Sequence, residues 1–69
     1  YQIVNIDTTV CLQKPKLKNY ISQMQVTLAK VLEIPVEDIS IKATTTEKLG
    51  YIGREEGIAV YAVSLISKF

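Results

Sequence analysis

Apolar and polar residues alternate along the first twelve positions in the manner of a half-buried strand. Val4, Ile6, Val10 and Leu12 share one face with Thr8, while Ile3, Asn5, Asp7 and Thr9 fall on the other. Lys14-Pro15 breaks the alternation, and Pro15 suits the first turn of a helix, where its missing N–H is not needed. From Lys16 to about Leu32 the period changes. Leu17, Tyr20, Ile21, Met24, Leu28, Val31 and Leu32 fall on one face of a helix, with Ser22, Gln23, Gln25, Thr27 and Lys30 largely on the wet side. Pro35 cannot continue the ladder and ends this segment, and Val36-Glu37-Asp38 reads as a short turn. Ile39 to Thr45 reads as a second strand, with Ile39, Ile41 and Ala43 on one face. Thr46 to Leu49 reads as one helical turn closed by Gly50, and Gly50 to Gly57 as a glycine-punctuated loop. Ile58 to Ser67 is a third strand that is apolar on both faces: Ile58, Val60, Ala62 and Ile66 on one, Ala59, Tyr61, Val63 and Leu65 on the other.

The order strand, long helix, strand, short helical turn, strand predicts an α+β fold, a two-layer β-α-β-(short α)-β unit. One amphipathic helix covers one sheet face. The other needs cover too, because Ile58–Ser67 would leave a large apolar patch in water. A symmetric partner sheet is the simplest cover, which predicts an obligate oligomer. Length sharpens this expectation: a single domain of 69 residues buries only about 60% of its unfolded surface. Cys11 is the one cysteine and there is no histidine, so neither an intrachain disulfide nor an internal zinc site of the usual Cys/His kind can compensate. The chain also opens inside a strand-like stretch without a Met, and reads as a fragment. A net charge of +1 excludes a strongly basic nucleic-acid arm and an acidic tail. No apolar run approaches the roughly 20 residues that span a bilayer, and no signal-peptide pattern is present.

Three features depart from what folding alone would choose. Lys14-Pro15-Lys16-Leu17-Lys18 places three lysines at an expected helix N-terminus, where acidic residues are favoured; an anion such as a phosphate would explain them, and so would plain solvation. Ala43-Thr44-Thr45-Thr46-Glu47 ends a strand in three hydroxyls and a carboxylate, groups that hold phosphate oxygens and Mg²⁺, though Thr46 can equally serve as an N-cap. Arg54 stands in the glycine loop as a phosphate clamp or as a surface partner of Glu55 or Glu56. Cys11 on a strand reads as a small hydrophobe rather than a nucleophile. Together the pattern is that of a phosphate-binding α/β fragment, and it names no reaction.

Taken in order, Asn5-Ile6-Asp7-Thr8-Thr9-Val10, Lys14-Pro15-Lys16, Ile41-Lys42-Ala43-Thr44-Thr45-Thr46-Glu47-Lys48-Leu49-Gly50 and Gly53-Arg54-Glu55-Glu56-Gly57-Ile58-Ala59-Val60 are far more specific. This series closely resembles the C-terminal half of the 2-C-methyl-D-erythritol 2,4-cyclodiphosphate synthase family, from about residue 3 to residue 66. The resemblance implies a ferredoxin-related fold whose sheets pack together in a homotrimer, with residues 1–69 as the nucleotide-binding half of the domain. It implies a phosphorus–oxygen lyase of non-mevalonate isoprenoid biosynthesis. Such an enzyme cyclises 4-diphosphocytidyl-methylerythritol 2-phosphate and releases CMP. It further implies that Leu12, Gln13, Lys14, Pro15, Lys16, Leu17 and Lys18 line a cytidine pocket. Ala43, Thr44, Thr45 and Thr46 would lie at the phosphates, with Thr45 stabilising the transition state. Glu47 would hold Mg²⁺ or Mn²⁺. Tyr51 matches an aromatic of the same site, and Arg54 matches an arginine near the phosphate or the trimer's central channel.

The departures are as informative. The family's Zn²⁺ ligands lie in the other half and include histidines, which this chain lacks. Leu12 is larger than the small residue expected at its position, and Tyr61 stands where some members carry an acid. The implied partners are a cytidine diphosphate substrate and copies of the chain itself, with neither nucleic acid nor membrane. The implied setting is a bacterial cytoplasm or a plastid-type organelle, not the exterior. The alternative is a non-catalytic, ACT-like small-molecule-binding module.

Overall fold

The computed structural model describes residues 1–69, and its centre is a strand paired on both sides. β1 (Gln2–Cys11) runs parallel to β2 (Ile39–Thr44) and antiparallel to β3 (Ala59–Ser67), giving the sheet order β2-β1-β3. A parallel pair needs a crossover, and α1 (Ile21–Leu32) supplies it. A four-residue helix, α2 (Gly50–Gly53), precedes β3. The mixed three-stranded sheet with its helices is the α+β arrangement expected of the sequence. No helix is long and apolar enough to cross a membrane.

Register decides which side chains meet α1. Ile6, Thr8 and Val10 pair with Ile39, Ile41 and Ala43, so these six share the helix-facing side of the sheet. The core is small: Val10, Ala29, Ile39 and Ile41 are buried, with Leu12, Leu17, Ile21, Met24 and Ile34 packed against them. Buried Ala29, which the apolar spacing did not single out, lets the helix approach the sheet. Gln25, expected on the wet side, is half-buried and donates Nε2 to the Ile39 carbonyl at 2.6 Å. An amide that finds a partner can face a sheet edge as readily as an apolar group.

Four expectations change. The helix begins at Ile21, not near Lys16; Lys18–Tyr20 forms a 3-10 turn, and Pro15 lies in a loop. Leu17 reaches the core from that loop, so its burial imitates helical spacing without a helix. Lys14 and Lys16 therefore precede a 3-10 turn that Lys18 opens, and none of the three crowns the N-terminus of α1. Secondly, Val31 is 73% exposed and Tyr20 is exposed as well, so the apolar stripe is wider than the sheet that receives it. Thirdly, a register shift between Ile3 and Asn5 leaves Val4 unpaired and sets Ile3 opposite Ile66. Ile66 shares the side of Val60, the partner of Val10, so the bulge returns Ile3 to the helix side. Lastly, Thr46–Leu49 is a turn and not helical, and the helical turn comes later, at Gly50–Gly53.

β3 is exposed on both faces, as its double apolar pattern implied. Val63 is 73% and Tyr61 66% exposed, and Val60, Leu65 and Ile66 are exposed too. The molecule measures 44 × 22 × 14 Å, room for one helical layer on one sheet.

Ile39, only 2% exposed, anchors what core there is. Ile39→Ala is expected to cost about 2–5 kcal/mol in urea titration. Val31→Ala should stay within about 0.5 kcal/mol, as exposed substitutions do. Equal losses at the two positions would place Val31 against a covering surface.

Candidate functional site

Because β1 and β2 run parallel, both strands end at the same edge of the sheet. There the backbone pairing closes with Leu12 N–H donating to the Thr44 carbonyl at 3.0 Å. The segment leaving β1 carries the lysines, and the segment leaving β2 carries the threonines. They enclose a cleft of about 140 Å³ lined by Leu12, Lys16, Leu17, Lys18, Ala43, Thr44 and Thr45. Seven of the residues named from sequence thus come together, from two segments far apart in the chain. An apolar floor of Leu12, Leu17 and Ala43 lies beside two ammonium groups and two hydroxyls. That combination suits a flat ring joined to phosphates.

The remaining residues named from sequence do not line the cleft. Thr46 does not cap a helix; it closes its own turn, accepting Leu49 N–H at its carbonyl (3.0 Å) and donating Oγ1 to the Leu49 carbonyl (2.6 Å). Thr45 Oγ1 accepts from Glu47 N–H at 3.3 Å. At the centre of the turn Glu47 and Lys48 both adopt left-handed backbone, with φ of 53° and 64°, the signature of a type I′ turn. Gln13 Oε1 accepts from Lys48 N–H at 3.2 Å and lies outside the cleft lining. Lys14 pairs with Glu55 at 3.9 Å, and Arg54 Nε with Glu56 at 3.0 Å. Arg54 is therefore held by a neighbouring carboxylate at the surface. The Tyr51 ring packs against Gly57, where a Cβ would come within 2.9 Å of it.

Two glycines hold this geometry. Gly50 has a φ of +67°, and a Cβ on Gly53 would fall 2.1 Å from the Lys48 carbonyl carbon. α2 is thus pressed against the turn that carries Glu47. Buried Ile52 sits within α2 and was not singled out in the sequence; a lone isoleucine among glycines gives no period by which to find it.

A family model described as the YgbB family matches residues 1–67. The chain belongs to the YgbB family. Among curated YgbB relatives, the 2-C-methyl-D-erythritol 2,4-cyclodiphosphate synthase of Bacteroides fragilis is 62% identical over 68 residues, covering 99% of this chain and 43% of that protein. The chain spans less than half the length of the curated relatives it matches. Among solved structures, the 2C-methyl-D-erythritol 2,4-cyclodiphosphate synthase of Plasmodium vivax is 29% identical with a TM-score of 0.89, over 97% of this chain and 45% of that one. IspF of Plasmodium falciparum, solved as a CDP complex, is 38% identical with a TM-score of 0.85, over 88% of this chain and 39% of that one.

In the YgbB chain Gly53 has the least steric freedom near the cleft. Gly53→Ala must move the Lys48 backbone and is expected to cost about 1–3 kcal/mol, the range for overpacking. Urea titration would check this. A variant as stable as the wild type would mean that the turn shifts freely.

Proposed function

We propose that the chain is the C-terminal, nucleotide-binding half of a cyclodiphosphate synthase. The complete protein would convert 4-diphosphocytidyl-2-C-methyl-D-erythritol 2-phosphate to the cyclic diphosphate with release of CMP. The observation that carries this reading is the cleft at the shared ends of β1 and β2, where the basic loop faces the threonine run. Nucleotide binding is further supported by a relative with the same fold that was solved as a CDP complex.

In the reaction an oxygen of the substrate's 2-phosphate attacks its β-phosphorus. The bond from that phosphorus to the bridging oxygen breaks, and CMP leaves with the electron pair. Little covalent work falls to the protein, whose task is to fold the substrate and spread its charge. Leu12, Leu17 and Ala43 would seat the cytosine ring, and Lys16 and Lys18 would neutralise the nucleotide phosphates. Thr44 and Thr45 offer hydroxyl and backbone donors to the oxygens, with Thr45 nearest the role of transition-state donor. Glu47 is exposed and takes part in none of the ion pairs. A free carboxylate beside hydroxyls suits Mg²⁺ or Mn²⁺ whose other ligands are phosphate oxygens and water, and such an ion would neutralise the diphosphate. The chain's own residues do not fit a Zn²⁺ site: it has no histidine, and no three Cys, Asp or Glu side chains converge. None of the steps assigned to it runs through zinc.

In the complete protein, Glu47→Ala should abolish CMP release while CDP still binds by calorimetry. A wild-type protein that releases no CMP from the diphosphocytidyl substrate would end the proposal. The exposed faces of β3 support the second half of the reading, a homotrimer. Sedimentation should give a trimer that Val63→Asp disperses, and a trimer indifferent to that charge would place the interface elsewhere.

A further inference from the structure

The backbone pairing of β1 and β2 stops at Leu12 and Thr44. Beyond it the chains diverge, one into the basic loop and the other into the Thr46–Leu49 turn. One side chain spans the gap: Gln13, half-buried, accepts from Lys48 N–H at 3.2 Å. That N–H donates to no backbone carbonyl. Lys48 and the preceding Glu47 hold left-handed backbone, which L-residues keep only where the surroundings enforce it. Gly53 presses on the turn from the α2 side, and the bonds of Thr45 and Thr46 lie within the segment itself. From the β1 side the turn is tied by Gln13 alone.

We infer that Gln13 is a positioning residue, a clasp that fixes the turn bearing Glu47 against the loop bearing Lys16. This assignment rests on the cyclisation reading given above. Substrate phosphates held by Lys16 and Lys18 must meet Thr45 and Glu47 at a fixed separation, and small misplacements of reacting groups are costly. A neutral amide oxygen satisfies the Lys48 N–H without placing a further negative charge beside those phosphates. Gln13 thus contributes to the site by holding another segment, while the cleft residues contact the nucleotide.

The test uses the complete protein that carries this chain. Gln13→Met removes the acceptor but keeps length and shape. Deuterium exchange at the Lys48 amide should quicken, and kcat for CMP release should fall about tenfold to a hundredfold. The affinity for CDP, read by calorimetry, should stay at its wild-type value. Gln13→Asn, polar but one methylene too short, should behave in the same way, which separates the lost bond from a changed polarity. Gln13→Glu keeps an acceptor oxygen at the same reach and should restore amide protection at Lys48, while turnover stays reduced because its carboxylate adds negative charge beside the phosphates. A Gln13→Met protein with wild-type kcat, or one that loses CDP affinity in step with kcat, would overturn the assignment. Unchanged exchange at Lys48 would overturn it on structural grounds alone. A wild-type protein without CMP release would instead overturn the cyclisation reading, and with it the catalytic consequence of the clasp.

Discussion

The parallel pairing of β1 with β2 is the constraint on which the rest depends. Parallel neighbours end at the same edge of a sheet, so the segments that continue them lie face to face. Here those continuations are Leu12–Lys18 and Thr45–Glu47, and the cleft exists because the register Val10↔Ala43 and Cys11↔Thr44 brings them level. An antiparallel pair would send the lysines and threonines to opposite ends. α1 is the crossover that parallel pairing requires, and its buried Ala29 and half-buried Gln25 fix it over the two strands.

Much of this was legible in the sequence because periodicity reports burial directly. The alternation in β1, the run Ile39–Ile41–Ala43 in β2 and the doubly apolar β3 all match the strands formed. The misses share one physical origin: burial is not secondary structure. Leu17 is packed against the core from a loop, so counting it as a helical position drew the start of α1 too early. Ile3 reaches the helix side only through a bulge, which no local pattern announces. Thr46-Glu47-Lys48-Leu49 has acceptable helical propensities, yet tertiary contacts with Gln13 and Gly53 impose a left-handed turn. The cleft was legible as residue types; its separation from Arg54, Tyr51 and Gln13 was not, since spacing along a chain does not say which side chains pair.

The core and the site make opposite demands on so short a chain. Only Val10, Ala29, Ile39, Ile41 and Ile52 are buried, and the apolar residues of β3 and the outer side of α1 remain in water. Val60, paired with Val10, and Tyr61, paired with Thr9, bring part of that apolar surface to the end of the sheet where the cleft opens. The cleft and the exposed apolar surface thus share one thin layer.

The left-handed pair at Glu47 and Lys48 has a consequence for any attempt to improve the protein. Asn-Gly is the dipeptide that a type I′ turn favours, and L-residues with larger side chains hold this backbone at roughly 1–2 kcal/mol each. Replacing the pair by Asn-Gly would relax the fold, but it would delete the carboxylate. Thermal hardiness and a negatively charged group compete for the same dipeptide, so a screen for heat resistance alone would drift toward a chain that is sturdier and has lost the Glu47 carboxylate.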